Sequence, residues 1–168
     1  RWFPLQSMSA LTFSPIEEII EDIAAGKTII CADDPTRENE ADLICAASLA
    51  TKEAIAFMAT HGRGLICAPI MAEQAERLDL PQMSRRNTEA LKTAFTVSVD
   101  AAEGITTGIS AADRSKACQI LANPRSTPEM LVKPGHVFPL QAVEGGVLRR
   151  AGHTEAAIDL ARLAGLKP

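Results

Sequence analysis

Short apolar runs alternate with stretches of helical spacing along this chain, and that rhythm lays out most of its elements. Ile16, Ile19, Ile20 and Ile23 recur at the spacing of an amphipathic helix, which Gly26 ends. Ahead of them, Ser14-Pro15-Ile16-Glu17 has the form of a capping box with proline at the first helical position. Thr28–Ala32 and Leu43–Ala47 are short and rich in β-branched or small residues, so they read as strands joined by a loop at Pro35. Thr51 opens a helix running to about Thr60, Leu65–Ala68 reads as a strand, and Met71–Leu78 as a short helix. Pro81 to Thr93 is polar and irregular, a loop that is either a functional lid or disordered.

The second half continues the alternation. Phe95, Val97 and Val99 alternate with Thr96 and Ser98, the pattern of a half-buried strand. Ser110 can cap a helix over Ala111–Ala122, which Asn123-Pro124 stops. A turn at Lys133-Pro134-Gly135 precedes the apolar run His136–Leu140, and Gly145-Gly146 marks another turn. The last helix starts near Thr154, carries Ala157, Leu160, Leu163 and Ala164 on one face, and ends at Gly165. Helices alternating with strands, some of them hairpin neighbours, predict an α/β (α+β) layered domain with a mixed β-sheet covered by helices.

Composition narrows the class. A chain of 168 residues is most simply one domain with a proper core. Residues 15–168 are assigned to that domain, and residues 1–14, including Arg1–Ser7 ahead of Met8, to a leader or cloning remnant. The formal charge of −4 argues against a general nucleic-acid binder, and no apolar run is long enough for a bilayer-spanning helix. Cys31, Cys45, Cys67 and Cys118 show no metal-type or redox-type spacing, which suits a reduced, cytoplasmic protein.

The chemistry concentrates in two loops. Asp33-Asp34-Pro35-Thr36-Arg37-Glu38-Asn39-Glu40-Ala41-Asp42 places five carboxylates and one arginine in ten residues. It is either a solvated hairpin tip or a set of oxygen ligands for a hard cation such as Mg²⁺. Arg37 inside the acidic run, and a second loop that complements it, favour the cation. That second loop, Leu148-Arg149-Arg150-Ala151-Gly152-His153-Thr154, combines arginines, a glycine and a helix start, which together can cradle a phosphate. Thr154 can cap the helix or donate to an anion. His153 is either a surface histidine beside a cap or, as a neutral imidazole, a metal ligand. His136 is either a satisfied core histidine or a general base on a stiff turn.

The segments DDPTRENEAD, TAFTVSVDAAEGITTGISAADR, KPGHVFPL and GGVLRRAGHTEAAIDLARLAGLKP resemble the 3,4-dihydroxy-2-butanone 4-phosphate synthase family of riboflavin biosynthesis, from about Ile16 to Pro168. The resemblance implies conversion of D-ribulose 5-phosphate to 3,4-dihydroxy-2-butanone 4-phosphate and formate, with Mg²⁺ or alternatively Mn²⁺. It implies Glu38 and His153 as metal ligands, and His136 as the proton-transfer residue in a catalytic set with Glu38 and Asp42. Substrate contacts would come from Arg37, Glu38, Asp42, Thr107, Arg150, Ala151, Gly152, His153 and Thr154. A homodimer with active sites at the subunit interface is implied as well. The family continues with a strand carrying a catalytic glutamate, so the sequence ending at Pro168 is expected to lack a C-terminal segment. Family members also occur fused to a GTP cyclohydrolase II domain. The competing reading is a non-catalytic sugar-phosphate or nucleotide-binding module that keeps the anion cradle without turnover.

Overall fold

The computed structural model describes residues 12–168, so residues 1–11 of the leader assigned to 1–14 lie outside the described residues. Helix α1 (Ile16–Ala24) leads into β1 (Ile29–Ala32) and β2 (Ala41–Ile44), followed by α2 (Lys52–Phe57), β3 (Cys67–Ile70) and α3 (Ala72–Arg77). Then come β4 (Val99–Ala101), α4 (Ala111–Ala122), β5 (Leu131–Gln141) and α5 (His153–Leu163). Among the described residues no helix is long and apolar enough to cross a membrane.

Two sheets organise the layers. β1 and β2 form an antiparallel hairpin, with Ile29 opposite Ile44 and Ala32 opposite Ala41. The second sheet has the order β3-β5-β4, with β3 parallel and β4 antiparallel to the central strand. This is the mixed sheet expected. The larger core lies between that sheet and α2, α3 and α4, where Ile55, Ile70, Leu78, Val99, Leu121 and Val137 are almost fully buried. Each such side chain contributes roughly 1.5–3 kcal/mol of transfer free energy. A smaller cluster joins Ile23 of α1 to Ile29 and Ile44 of the hairpin and to Ala157 and Leu160 of α5. That cluster brings the start of α5 to the hairpin that carries the acidic loop.

Helix starts follow local chemistry where a short polar side chain is present. Thr51 Oγ1 accepts from the Ala54 N–H (3.2 Å), and Ser110 Oγ accepts from the Asp113 N–H (3.1 Å), both as the sequence predicts. At α1 the capping box does not form: Pro15 itself occupies the cap position and no side chain caps the helix. At α5 the cap is Gly152, and Thr154 is buried within the first turn instead of capping it.

Several other expectations are corrected. β2 begins at Ala41, two residues before the predicted strand, so Asp42 is a strand residue. β3 is likewise displaced, to Cys67–Ile70. α2 gives way at Met58 to a wider π turn through Gly62. Lys133-Pro134-Gly135 is no turn between segments, because β5 runs through it for eleven residues.

The alternation at Phe95–Val99 is the most instructive error. Thr96 (0% exposed) and Ser98 are buried, while Phe95 and Val97 are only half-buried. The Thr96 N–H and hydroxyl both donate to the Pro139 carbonyl, and Ser98 Oγ accepts from the Gly135 N–H. Hydroxyls satisfied by the backbone of β5 can be buried at little cost, so polarity did not report their direction. On α5 the buried side is Glu155, Ile158 and Ala161, and Leu163 is exposed.

Candidate active site

The acidic loop is built around one carboxylate. Asp33 Oδ2 accepts from the Arg37 guanidinium (2.9 Å) and the Glu38 N–H (3.0 Å), while Oδ1 accepts from the Glu40 N–H (2.9 Å). Only 6% of its side chain is exposed. Burial alone would raise its pKa, but the Glu40 N–H, Arg37 and the Glu38 N–H outweigh that and hold it below the usual carboxylate range. Arg37 also reaches Glu38 (3.2 Å), so the arginine steers both acids within the run.

The hairpin and the α1–α5 packing then bring this loop to His153. Its Nδ1 lies 3.9 Å from Glu38 Oε2 and 3.7 Å from Asp42 Oδ2. Donor atoms of Asp33, Glu38 and His153 all fall within 4.8 Å of one another. The imidazole is 10% exposed, and its Nε2 is buried with no hydrogen-bond partner among the described residues. An imidazole whose nitrogens are left without conventional partners, facing unspent carboxylate oxygens, fits a divalent cation. Asp33 has already committed three lone pairs to the loop, so Glu38 and His153 are the freer donors.

Behind His153 stands an ion pair. Arg150 Nη1 donates to Glu155 Oε2 (2.7 Å), and Glu155, 1% exposed, also accepts from the Val143 N–H through Oε1 (2.9 Å). Arg150 Nη2 reaches the Leu91 carbonyl (3.2 Å) and Thr93 Oγ1 (3.3 Å), which ties down the end of the 81–93 loop. Gly152 lies against this pair: a Cβ there would sit 2.2 Å from Arg150 Nη1. The Gly152 N–H donates to the Arg150 carbonyl (2.8 Å). The Gly152 amide is thus engaged within the loop, and this glycine accommodates the ion pair beneath it. Ala151 and Arg149 are exposed, and the first N–H groups of α5 point out of the helix.

Beside the cluster is a cleft of about 400 Å³. Residues 40–45 and 64–69 line it consecutively, the mark of strand edges and not of a strand face. Cys45, Cys67 and Cys118 also line it, and burial pushes Cys67 up to about 11 and Cys118 up to about 12. Those two stay protonated at neutral pH and are poor nucleophiles.

A second centre forms on β4 and β5. His136 Nδ1 is 2.7 Å from Asp100 Oδ2, and the His136 N–H donates to Asp100 Oδ1 (2.9 Å). The loop before α4 folds over this pair. Asp113 holds it by accepting from the Thr106 hydroxyl (2.7 Å) and from the N–H groups of Thr106 and Gly108. The Thr106 hydroxyl and these N–H groups outweigh burial and hold Asp113 below the usual carboxylate range. Thr107, between them, is exposed. Gly108 has φ +94°, and a Cβ on it would lie 2.0 Å from Asp100 Oδ2, so no other residue fits. Among the described residues no hydrogen bond or ion pair joins this centre to the His153 cluster.

Sequence reasoning passed over Asp100, Asp113 and Glu155, and gave Asp33 no role of its own. Two of them carried a signal. Asp113 stands three residues after a capping serine, and Asp100 is a lone carboxylate in an apolar strand.

Residues 17–168 match the sequence profile of the 3,4-dihydroxy-2-butanone 4-phosphate synthase family. Riboflavin biosynthesis protein RibBA of Salinispora arenicola (strain CNS-205) is 56% identical over 157 residues, covering 94% of this chain and 37% of the relative. The 3,4-dihydroxy-2-butanone 4-phosphate synthase of Neisseria meningitidis serogroup B (strain ATCC BAA-335 / MC58) is 56% identical over 155 residues, 92% of this chain and 43% of its own length. The chain thus spans under half the length of these curated relatives. A crystal structure of a 3,4-dihydroxy-2-butanone 4-phosphate synthase in complex with two magnesium ions superposes with a TM-score of 0.91 at 53% identity, covering 93% of this chain and 73% of that one. Profile, identity and fold agree over nearly every described element, and this chain belongs to the 3,4-dihydroxy-2-butanone 4-phosphate synthase family.

Proposed function

We propose that residues 15–168 form a synthase domain that converts D-ribulose 5-phosphate to 3,4-dihydroxy-2-butanone 4-phosphate and formate, with Mg²⁺ as its metal. Mn²⁺, with similar ligand preferences, is an alternative. One observation carries this reading: Glu38 and His153, 115 positions apart, meet beside Asp33 with donor atoms unspent.

Bound there, the cation supplies charge stabilisation to the sugar's oxygens as a carbon-bound proton leaves. The chain's own groups do the rest. Asp33 fixes the loop so that Glu38 and Asp42 face His153. Arg37, already beside Glu38, and Asp42 lie where they can orient hydroxyl groups of the sugar. The segment Arg150–Thr154 receives the phosphate through the outward N–H groups of α5. Arg150 reaches the dianion by giving up Leu91 and Thr93 while keeping Glu155. His136 Nε2 takes the proton, and Thr107 lines the same centre.

His136 and the metal cluster sit in separate parts of one chain, so the active site is proposed to be completed in a homodimer. Ile109 (54% exposed), Met130 (45%) and Val132 (45%) are apolar residues around the His136 centre, and a partner subunit would cover them.

The test is formate release from ribulose 5-phosphate by the full-length protein with Mg²⁺, with and without EDTA. Formate that disappears with EDTA is expected. Sugar-phosphate binding without formate would instead select the non-catalytic module. Sedimentation of that protein as a monomer at micromolar concentration would count against the dimer.

A further inference from the structure

Asp100 is a buried carboxylate whose two oxygens both face a single residue, His136. Oδ1 accepts the backbone N–H of His136 at 2.9 Å, and Oδ2 lies 2.7 Å from Nδ1 of its ring. The carboxylate is 7% exposed, whereas the imidazole is 41% exposed. Gly108 presses on both groups, because a Cβ at that position would lie 2.0 Å from Asp100 Oδ2 and 2.7 Å from His136 Nδ1. Neither group can turn away without displacing the loop that Asp113 holds through Thr106 and Gly108.

This geometry fixes hydrogens as well as heavy atoms. An ionised carboxylate only accepts, so the ring nitrogen facing it must carry the hydrogen. In the neutral ring the other nitrogen, Nε2, is an unprotonated acceptor on the side of the ring away from Asp100. We propose that Asp100 is a positioning residue that holds His136 as the Nδ1–H tautomer, presenting Nε2 as the base that removes a proton from the sugar. The proposal rests on the proton-transfer role assigned to His136 above.

Asp100→Asn tests it with almost no change of shape. An amide has one acceptor oxygen and one donor nitrogen. The backbone N–H of His136 cannot change its role, so the amide oxygen must serve it. The amide nitrogen then faces Nδ1 and forces that atom to become the acceptor. His136 would switch to the Nε2–H tautomer, and the outward nitrogen could no longer accept a proton.

Ring ¹⁵N NMR reads the tautomer directly. The chain has only three histidines, and His136→Gln assigns the relevant signals. The unsubstituted protein should show Nδ1–H at His136, and Asp100→Asn should show Nε2–H. In the same variant kcat should fall about a hundredfold or more, as losing a positioned base implies, while KM changes little because ground-state contacts remain. An Nε2–H tautomer in the unsubstituted protein overturns the proposal without any variant. So does an Asp100→Asn protein that keeps the Nδ1–H tautomer, or one that switches tautomer and keeps its kcat. Absence of formate from the unsubstituted protein would refute the function proposed above, and the NMR result would still decide what Asp100 does to His136.

Discussion

The His153 cluster and the His136 centre are made from the same parts and finished differently. Each has a loop gathered around one carboxylate that accepts several hydrogen bonds, Asp33 in the first and Asp113 in the second. In the first, Glu38 and Asp42 remain beside His153 at 3.7–3.9 Å with oxygens to spare. In the second, Asp100 is used completely by His136, and what remains is one imidazole nitrogen. Excess carboxylate calls for a cation, whereas a matched carboxylate–imidazole pair handles a proton. The physical difference is whether the framework consumes all of its negative charge.

Four measurements can break or sharpen this contrast. The largest effect is expected behind the first centre. Arg150→Ala leaves Glu155 buried without its partner, and losing one member of a buried pair costs about 3–5 kcal/mol. Urea denaturation should show that loss, together with faster amide exchange at Leu91 and Thr93. A change within experimental error would mean that Glu155 is held by the Val143 N–H alone.

Next come the unspent donors themselves. Glu38→Gln and His153→Ala should each lower metal-dependent formate release by about a hundredfold or more, since even outer-shell losses reach that size. Thermal unfolding should barely move for Glu38→Gln, which keeps the size of a partly exposed side chain. If either variant kept near-normal turnover at low Mg²⁺, the ligand assignment would fall.

At the second centre, Gly108→Ala should destabilise by more than about 1 kcal/mol, because alanine is strained at positive φ. It should also perturb the ring signals of His136 and leave those of His153 unchanged. Perturbation of both would show that the two centres are one mechanical unit, and the comparison would dissolve.

The smallest effect is shared. Asp33 and Asp113 both have folded pKa values below their unfolded ones. Their contribution to stability is therefore complete above about pH 4, the unfolded carboxylate value, and is lost as pH falls through the depressed folded values. A titration by ¹³C NMR of the two carboxyls, beside thermal unfolding between pH 5 and 2, would check the sign. An Asp33 that titrates at or above its ordinary value would remove the framework role given to it.

The local layer of this protein was legible in its residues. Ser110 and Thr51 cap helices by a contact three residues long, and Gly145-Gly146 turns the chain by its own backbone freedom. Such features depend on near neighbours, which the sequence lists in order. The acidic run and the His153 loop were legible as chemistry for the same reason, because carboxylates and an imidazole announce themselves by type. Tertiary structure alone decided which of those groups stayed available. Glu155 lies five residues from Arg150, yet its burial comes from the packing of α5, and that packing anchors the expected phosphate arginine in an ion pair. Asp100 and His136, 36 residues apart, became a pair only because β4 runs antiparallel to β5. Thr96 and Ser98 turned inward because carbonyl and amide groups of β5 were waiting there. Type and spacing give each residue its capacity. Hydrogen-bond saturation, set by distant partners, decides whether that capacity is spent on the fold or left for a ligand.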